Sequence, residues 1–341
     1  MNVRYVISNT CPLSFFIQEN AGAFEMDINV LITSASRKVG LVESFKAALK
    51  QEKVNGKVIT VDNNPLSAAF YVSDKYYTVA KSSKSEFMPM ILDICEKEKI
   101  KLLIPTRDGE LLLFAQNKQL FKKKGTTVMV SPPEAIEICN DKYLFYKYLK
   151  KNNIPTPSTY LPNQINLASV TYPLIIKSKS GSGSKGIFKV ENEKQLRFFL
   201  DYVSDPIAQE FVRGKEYTID LFSDFSGTVL SVVPRERIET FGGESYKGKT
   251  VKDCQIIEET KKLAEKLGTI GHITVQCIEN DGEIKFIEIN PRFGGGASLG
   301  FAAGANTPAM LLKLLRGKKL NPSIGDFEER VMLRYTKDVF I

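Results

Sequence analysis

Glu288 and Asn290 stand two residues apart near the C-terminal end of the chain, with Arg292 two further on. The stretch from Ile284 to Asn290 alternates apolar and polar residues and reads as a strand that Pro291 ends. Side chains two apart share a strand face, roughly 6.6 Å from each other. Glu288 and Asn290 therefore project together, while Ile287 and Ile289 turn toward a core. A carboxylate beside an amide oxygen, followed by a guanidinium, suits a hard cation that carries phosphate. A polar strand end beside a loop fits the same letters, so the rest of the chain must supply the phosphate site.

Tyr172-Pro173-Leu174-Ile175-Ile176-Lys177 reads as a strand ending in a lysine. A serine- and glycine-rich loop follows, with Gly181, Gly183 and Gly186, and then Ile187-Phe188-Lys189-Val190 reads as a second strand. The three glycines match Gly-x-Gly-x-x-Gly, but a dinucleotide fingerprint needs a helix after the third glycine, and here a strand follows. Strand, glycine loop and returning strand make a hairpin flap whose backbone N–H groups can approach phosphate closely, because glycine has no Cβ. Lys142, in Asn140-Asp141-Lys142, is either a surface lysine or a phosphate ligand reaching across a domain junction.

A third oxygen ligand depends on register. His272 to Ile278 pairs with residues 284–290 through Glu279-Asn280-Asp281-Gly282-Glu283. A three-residue loop with Gly282 left-handed puts Thr274 opposite Glu288 and Gln276 diagonal to it on the same face. A two-residue Asp-Gly turn would send Gln276 to the other face. With the odd loop, Gln276, Glu288 and Asn290 offer oxygens to two magnesium ions about 4 Å apart. His272, the single histidine, lies on that face as a packed or hydrogen-bonded residue and excludes any histidine-cluster metal site.

The elements that must position these groups fall into two patterns. Residues 1–25 do not share the regular pattern and read as an appendage, without a basic leader or a small-residue cleavage site. From 26 to 130, strands at Asn29–Thr33, Lys57–Asp62, Leu102–Pro105 and Thr127–Val130 alternate with helices at Leu41–Leu49, Phe87–Lys97 and Leu111–Phe121, which implies a parallel sheet wound by right-handed crossovers. Ligands sit off the carboxyl ends of such strands, here Thr33-Ser34-Ala35-Ser36-Arg37, Asp62-Asn63-Asn64 and Thr106-Arg107-Asp108-Gly109-Glu110. These loops hold a small polar substrate, or Ser34, Ser36 and Asp108 merely cap helices. A helical bridge over 131–158 opens with a Ser131-to-Glu134 capping box. Residues 159–212 and 213–341 then read as antiparallel sheet plus helices, with Phe241 to Gly248 as a loop. Arg235, Arg237 and Lys247 fall on loops after Val229–Val233 and offer charge to a carboxylate, or form surface salt bridges.

The 341 residues carry 43% hydrophobic and 25% charged side chains and a formal charge of +8. The lysine runs at 122–124, 150–151 and 318–319 sit on helix ends, and no nucleic-acid motif accompanies them. No apolar run approaches the roughly 18 residues of a membrane span. Five cysteines (Cys11, Cys95, Cys139, Cys254 and Cys277), odd in number and without metal spacing, fit a reduced, cytoplasmic protein.

Taken together, Asn140-Asp141-Lys142, Ile154-Pro155-Thr156-Pro157, the Lys177 strand with its glycine loop, Gln209-Glu210-Phe211-Val212, Gly214-Lys215-Glu216-Tyr217, Val275-Gln276 and Glu288-Ile289-Asn290-Pro291-Arg292 resemble the ATP-grasp superfamily. Within it they are most similar to proteins like the large subunit of carbamoyl phosphate synthase, from about Met26 to the C-terminus. The resemblance implies a Rossmann-like α/β domain followed by a two-subdomain α+β fold that clasps ATP. It implies that Lys142 and Lys177 hold the phosphates and that Gly181, Gly183 and Gly186 close as a flap. The Gln209–Val212 motif would line the nucleotide site, with Glu210 and Val212 at adenine, and Glu216 would hold the ribose. Gln276, Glu288 and Asn290 would bind two Mg2+ ions (or Mn2+), and Arg292 would stabilise the transferred phosphoryl group.

Two departures from the family stand out. Gln276 takes the place of an acidic ligand, and Gly294-Gly295-Gly296-Ala297-Ser298 follows Arg292 where the synthase has a bulkier polar run. The expectation is an ADP-forming carboxylate–amine ligase acting on small molecules, compatible with a homodimer, with no nucleic-acid or membrane partner. The rivals are a synthase or kinase that releases an acyl or carbamoyl phosphate and a non-catalytic ATP-binding module.

Overall fold

The fold follows from where strands can bury both faces, one face or an edge. The computed structural model describes residues 27–181 and 186–341, so the 1–25 appendage and Gly183 lie outside the described residues. The first unit is a parallel sheet of β1 (Asn29–Ile32), β2 (Val58–Asp62), β3 (Lys75–Thr78), β4 (Ile100–Ile104) and β5 (Thr127–Val128) in the order β3-β2-β1-β4-β5. Its central strands are buried on both faces, as their continuous Val/Ile/Leu content demands. The helices α1 (Val39–Gln51), α2 (Phe87–Lys97), α3 (Asp108–Gln116) and α4 (Lys118–Lys123) cover it. The helix read over 111–121 is therefore two, broken at Asn117. β3 escaped the sequence reading because Lys75-Tyr76-Tyr77-Thr78 is a largely exposed edge strand with no apolar alternation.

α5 (Pro133–Asn140) and α6 (Lys142–Lys151) form the bridge. The capping box expected at Ser131 is absent. Pro132 is the N-cap residue, and the Ser131 hydroxyl instead contacts the backbone of Ile270, 139 residues away. Asp141 does cap α6, accepting from the Tyr143 and Leu144 amides at 2.9 Å each.

A four-stranded sheet follows, made of β6 (Thr159–Tyr160), β7 (Leu174–Ser178), β8 (Phe188–Val190) and β9 (Pro206–Glu210), with α7 (Glu193–Tyr202) on one side. β7 and β8 are antiparallel, with Leu174 opposite Val190, so the glycine loop does connect a hairpin.

The last unit is a six-stranded sheet of β10 (Lys215–Ser223), β11 (Val229–Phe241), β12 (Glu244–Thr250), β13 (Gly271–Asn280), β14 (Glu283–Asn290) and β15 (Val331–Leu333), ordered β14-β13-β10-β11-β12-β15. The segment read as loop at 241–248 is the β11–β12 hairpin. Gly242 and Gly243 have φ of 57° and 78°, the two positive values that a tight two-residue turn needs. Arg235, Arg237 and Lys247 therefore stand on strands, not loops. α8 (Cys254–Leu267) ends on left-handed Gly268 and packs its apolar stripe against one sheet face. Tyr217, Ile219, Leu221, Ile273, Val275, Cys277 and Ile289 point into that core. Of their strand neighbours one residue on, Thr218, Asp220, Thr274, Gln276 and Asn290 make a polar patch on the opposite face, while Phe222 joins the cluster with the first sheet.

α9 (Ala297–Ala302) and α10 (Thr307–Leu315) leave this unit and pack on α1, joining one hydrophobic cluster with the first sheet. Phe45 of α1 meets Phe293 edge-on at 6.0 Å, and burying one such ring is worth about 2–3 kcal/mol. The loop that carries Arg292 is thereby pinned where the first unit meets the last.

Candidate active site

The polar face of the six-stranded sheet is built by register. Glu216, Thr218 and Asp220 alternate along β10; Arg237 and Arg235 lie beside Glu216 and Thr218 on β11; Gln276 and Thr274 lie beside Thr218 and Asp220 on β13. On β14, Glu288 pairs directly with Gln276, and Asn290 with Thr274.

The expected route to this arrangement is corrected. Asn280 pairs with Glu283, so Asp281 and Gly282 form a two-residue turn, with φ of 50° and 84°. On its own that turn would have split Gln276 from Glu288. A β-bulge between the Gln276–Glu288 and Cys277–Phe286 pairs absorbs Ile287 and restores the shared face. Ile287 is accordingly only partly buried, and Phe286 and Ile289 fill the core instead.

Asn290 donates from Nδ2 to Glu288 Oε1 at 3.1 Å, and its Oδ1 accepts from Arg292 Nη2 at 3.2 Å. Lys142 Nζ lies 3.9 Å from Glu288 Oε2 and donates to the Gly181 carbonyl at 2.7 Å, tying the bridge to the glycine loop. Gly181 and Gly186 both have positive φ, 108° and 68°, and a Cβ at either would meet nothing within 4 Å. Lys177 is buried, and among the described residues its ammonium hydrogen-bonds Gln209 Oε1 at 2.9 Å, the Gln209 amide going on to Thr159. Burial drives the Lys177 ammonium down to about 8, against the pull of Glu288 and with the push of Lys142. A cation so short of counter-charge fits an anion. The donor set also fits a phosphate-bound divalent cation: one carboxylate and two amide side chains, all oxygen-bearing, with lysines beside them for the phosphates. Gln276, Glu288 and Asn290 would hold that ion.

Glu210 spans two units. Its carboxylate accepts from the Ser158 amide at 3.0 Å and from Lys285 Nζ at 3.1 Å, and although burial opposes it these partners hold its pKa below the usual range. Val212 follows β9 in the short connection to β10. Glu216 faces Arg237 at 3.2 Å, and Arg237 also donates to Thr218 and to the Gly243 carbonyl. Arg235 is 1% exposed and gives Nε and Nη2 to Asp220 at 2.7 and 3.0 Å. Burial, rather than this pairing by itself, keeps its guanidinium from a substrate. Lys247 is exposed and pairs with Glu239. Neither of these two is brought to Glu288, whereas Lys142, Lys177, Asn290 and Arg292 are. His272 is a packed residue, stacked on Phe293 at 4.2 Å, with Nε2 3.5 Å from Asp220.

Sequence reasoning placed Asp108 in a substrate loop or as a helix cap and did not see its pairing with Arg292. Its two carboxylate oxygens accept from Arg292 Nε and Nη2 at 2.8 Å each. It also missed Glu110, which is buried and accepts from the Thr33 and Ser34 hydroxyls and the Thr106 and Arg107 amides. Burial pushes the Glu110 carboxyl up. Ser34 thus binds Glu110 and the Ser36 amide binds Asp62; neither serine side chain caps α1. The signal available was the acidic pair in Thr106-Arg107-Asp108-Gly109-Glu110 at a strand's carboxyl end.

An ATP-grasp domain profile matches residues 139–296, and a PylC-like N-terminal domain profile matches residues 30–129. The chain is similar to the arginine-specific carbamoyl phosphate synthase large chain of Geobacillus stearothermophilus, 27% identical over 81% of this chain but only 28% of that one. The chain thus spans about a quarter of the length of such synthases. It is also 26% identical to the D-alanine–D-alanine ligase of Petrotoga mobilis, over 60% of this chain and 76% of the ligase. Among solved structures, N5-carboxyaminoimidazole synthetase from Staphylococcus aureus complexed with ADP aligns with a TM-score of 0.70 over 91% of this chain and 83% of that one, at 17% identity, which shows a shared fold.

Proposed function

We propose that this chain, which belongs to the ATP-grasp superfamily, is an ADP-forming carboxylate–amine ligase that uses MgATP. The observation that carries the reading is the convergence on one polar sheet face of Glu288, Asn290 and Gln276 with Lys142, while Arg292 lies two residues on and the buried, under-neutralised Lys177 feels Glu288 from the facing sheet.

Lys177 and Lys142 bind the triphosphate, and the β7–β8 hairpin covers it, excluding water from the reacting phosphorus. Glu216 serves the ribose, and the Glu210–Val212 segment serves adenine. Gln276, Glu288 and Asn290 would hold magnesium, which when bound would neutralise phosphate charge. A substrate carboxylate oxygen forms a bond to the γ-phosphorus as the bond to the bridging oxygen breaks, releasing ADP. Arg292 holds the transferred group, so the protein contributes position and charge rather than a covalent intermediate. The amine nitrogen then attacks the acyl carbon, the C–O bond breaks, phosphate leaves, and the amine proton passes to solvent.

No helix among the described residues is long and apolar enough to cross a membrane, and Cys95, Cys139 and Cys277 are buried free thiols, in keeping with a cytoplasmic setting. The test is ADP release over a panel of carboxylates and amines. Release that needs both supports the ligase; ATP binding without release above background across the panel assigns the chain to the binding modules.

A further inference from the structure

β15 closes the six-stranded sheet on the side away from β14, and among the described residues no strand pairs with its outer edge. Met332 lies opposite Gly248 of β12, the Thr250 amide donates to the Arg330 carbonyl at 2.9 Å, and the Arg334 amide donates to the Tyr246 carbonyl at 3.0 Å. Backbone groups along an antiparallel strand alternate in direction, so the even-numbered residues serve β12. The N–H and C=O groups of Val331, Leu333 and Tyr335 then point outward, the row that a neighbouring strand takes up.

The side chains along this edge are apolar and open to solvent. Val331, Leu333 and Tyr335 are 65%, 71% and 78% exposed. Edge strands are ordinarily blunted by a charge that faces outward. Here the one charge in 331–335, Arg334, turns back to Glu244 and to the Gly295 carbonyl. The lysines beside the apolar row are also committed. Lys247, opposite Leu333, pairs with Glu239, and Lys249, opposite Val331, pairs with Glu236.

The edge is complementary to itself. With a second copy set antiparallel about a twofold axis through Leu333, Val331 of each copy faces Tyr335 of the other, and Glu329 faces Lys337. A β-branched residue against an aromatic one, and an acid against a base, are favourable cross-strand pairs. Outward backbone groups meet outward backbone groups in this register. Lys337 is exposed and makes no ion pair among the described residues. Glu328 and Asp338 also meet, but Glu328 is already neutralised by Arg330. Moving the axis to Met332 sets Arg330 against Arg334, and moving it to Arg334 sets Val331 against Lys337 and Glu329 against Val339.

We propose that the outer edge of β15 pairs with the same edge of a second copy of this chain, over residues 329–337, joining two six-stranded sheets into one. A twofold contact of this kind closes on itself, so assembly stops at a dimer. The proposal stands apart from the ligase reading.

The test is sedimentation velocity of the full chain from about 1 to about 200 μM, the range in which a short edge contact is populated. It compares wild type, Leu333→Lys, Glu329→Lys, Lys337→Glu and the double variant that exchanges both charges, with far-UV circular dichroism to show that each is folded. We expect a monomer–dimer equilibrium for wild type and monomer throughout for Leu333→Lys. Each single charge variant should dimerise about tenfold more weakly, because its dimer carries two like-charge pairs. The double variant should return to within about twofold of wild type. Wild type that stays monomeric at the highest concentration, species larger than a dimer, or a dimer that Leu333→Lys leaves intact overturns the proposal. So do single charge variants of unchanged affinity, or a double variant no tighter than the singles. Should Leu333→Lys fail to fold, the charge-exchange series decides by itself.

Discussion

Arg292 and Asp108 form a two-point ion pair, Nε and Nη2 each 2.8 Å from a carboxylate oxygen, across 184 residues of sequence. The pair joins the first turn of α3 to the end of β14 and is only partly exposed, so it both closes the domain junction and fixes the plane of the guanidinium. Asp108→Asn keeps the shape and removes the charge. We expect kcat/KM to drop about 10- to 100-fold, since a charge-assisted hydrogen bond is worth about 1.5–3 kcal/mol. A fall of several degrees in Tm should accompany it, measured by steady-state kinetics and thermal unfolding. Unchanged kinetics would show that Arg292 is placed without Asp108.

Lys177 is an ammonium kept in a buried site where, among the described residues, its hydrogen-bond partner is the neutral Gln209. Its folded pKa, about 8, lies below the ordinary 10.5, so the native state binds fewer protons than the unfolded chain between those values. The stability penalty is therefore full below about pH 8 and lifts as pH climbs toward 10.5. Lys177→Met should raise stability at pH 7 by about 1–2 kcal/mol, part of the gain being offset by the acceptor it leaves on Gln209. The same variant should lose nucleotide affinity. Phosphate raises the Lys177 pKa on binding, so wild-type affinity for a non-hydrolysable ATP analogue should fall above pH 8, approaching tenfold per unit, while the variant shows a flatter profile. Calorimetric titration between pH 7 and 9.5 checks both, and a pH-independent wild type would place Lys177 away from the phosphates.

Two glycines of the run after Arg292 face different neighbours. A Cβ at Gly296 would come 2.4 Å from Arg235 Nη1, and one at Gly295 would come 2.3 Å from Glu244 Oε2. Arg235 is buried and held by Asp220 at two points, whereas the Glu244 carboxylate is a partly exposed side-chain end that can move. Gly296→Ala should therefore cost about 1–3 kcal/mol as an overpacking change, and Gly295→Ala well under 1 kcal/mol. Denaturant unfolding of both variants checks the order; equal costs would mean that Arg235 yields as readily as Glu244.

Much of this was legible because strand alternation carries both core and chemistry. Glu288 with Asn290, Lys177 before the glycine hairpin, and the α/β-to-antiparallel change near residue 131 are local patterns, and local patterns survive in a sequence. The hairpin turn was misread because function seemed to require an odd loop, when the chain instead uses a two-residue turn and a bulge. The adjacent apolar pair Phe286-Ile287, which breaks the period of two, was the trace of that bulge. The β11–β12 hairpin hid behind polar, exposed residues, although Gly242-Gly243 is a turn signal. The partner of Asp108 could not be assigned from sequence, because Arg292 lies 184 residues away.

The central claim is that a carboxylate is activated as an acyl phosphate on the face that carries Glu288. Its most direct test is hydroxylamine trapping with MgATP and the carboxylate that best promotes ADP release, in wild type and Glu288→Gln. The account predicts hydroxamate formed in step with ADP by the wild type, and loss of both in a Glu288→Gln variant that still folds. ADP released by the wild type without hydroxamate, or undiminished turnover in Glu288→Gln, would contradict it.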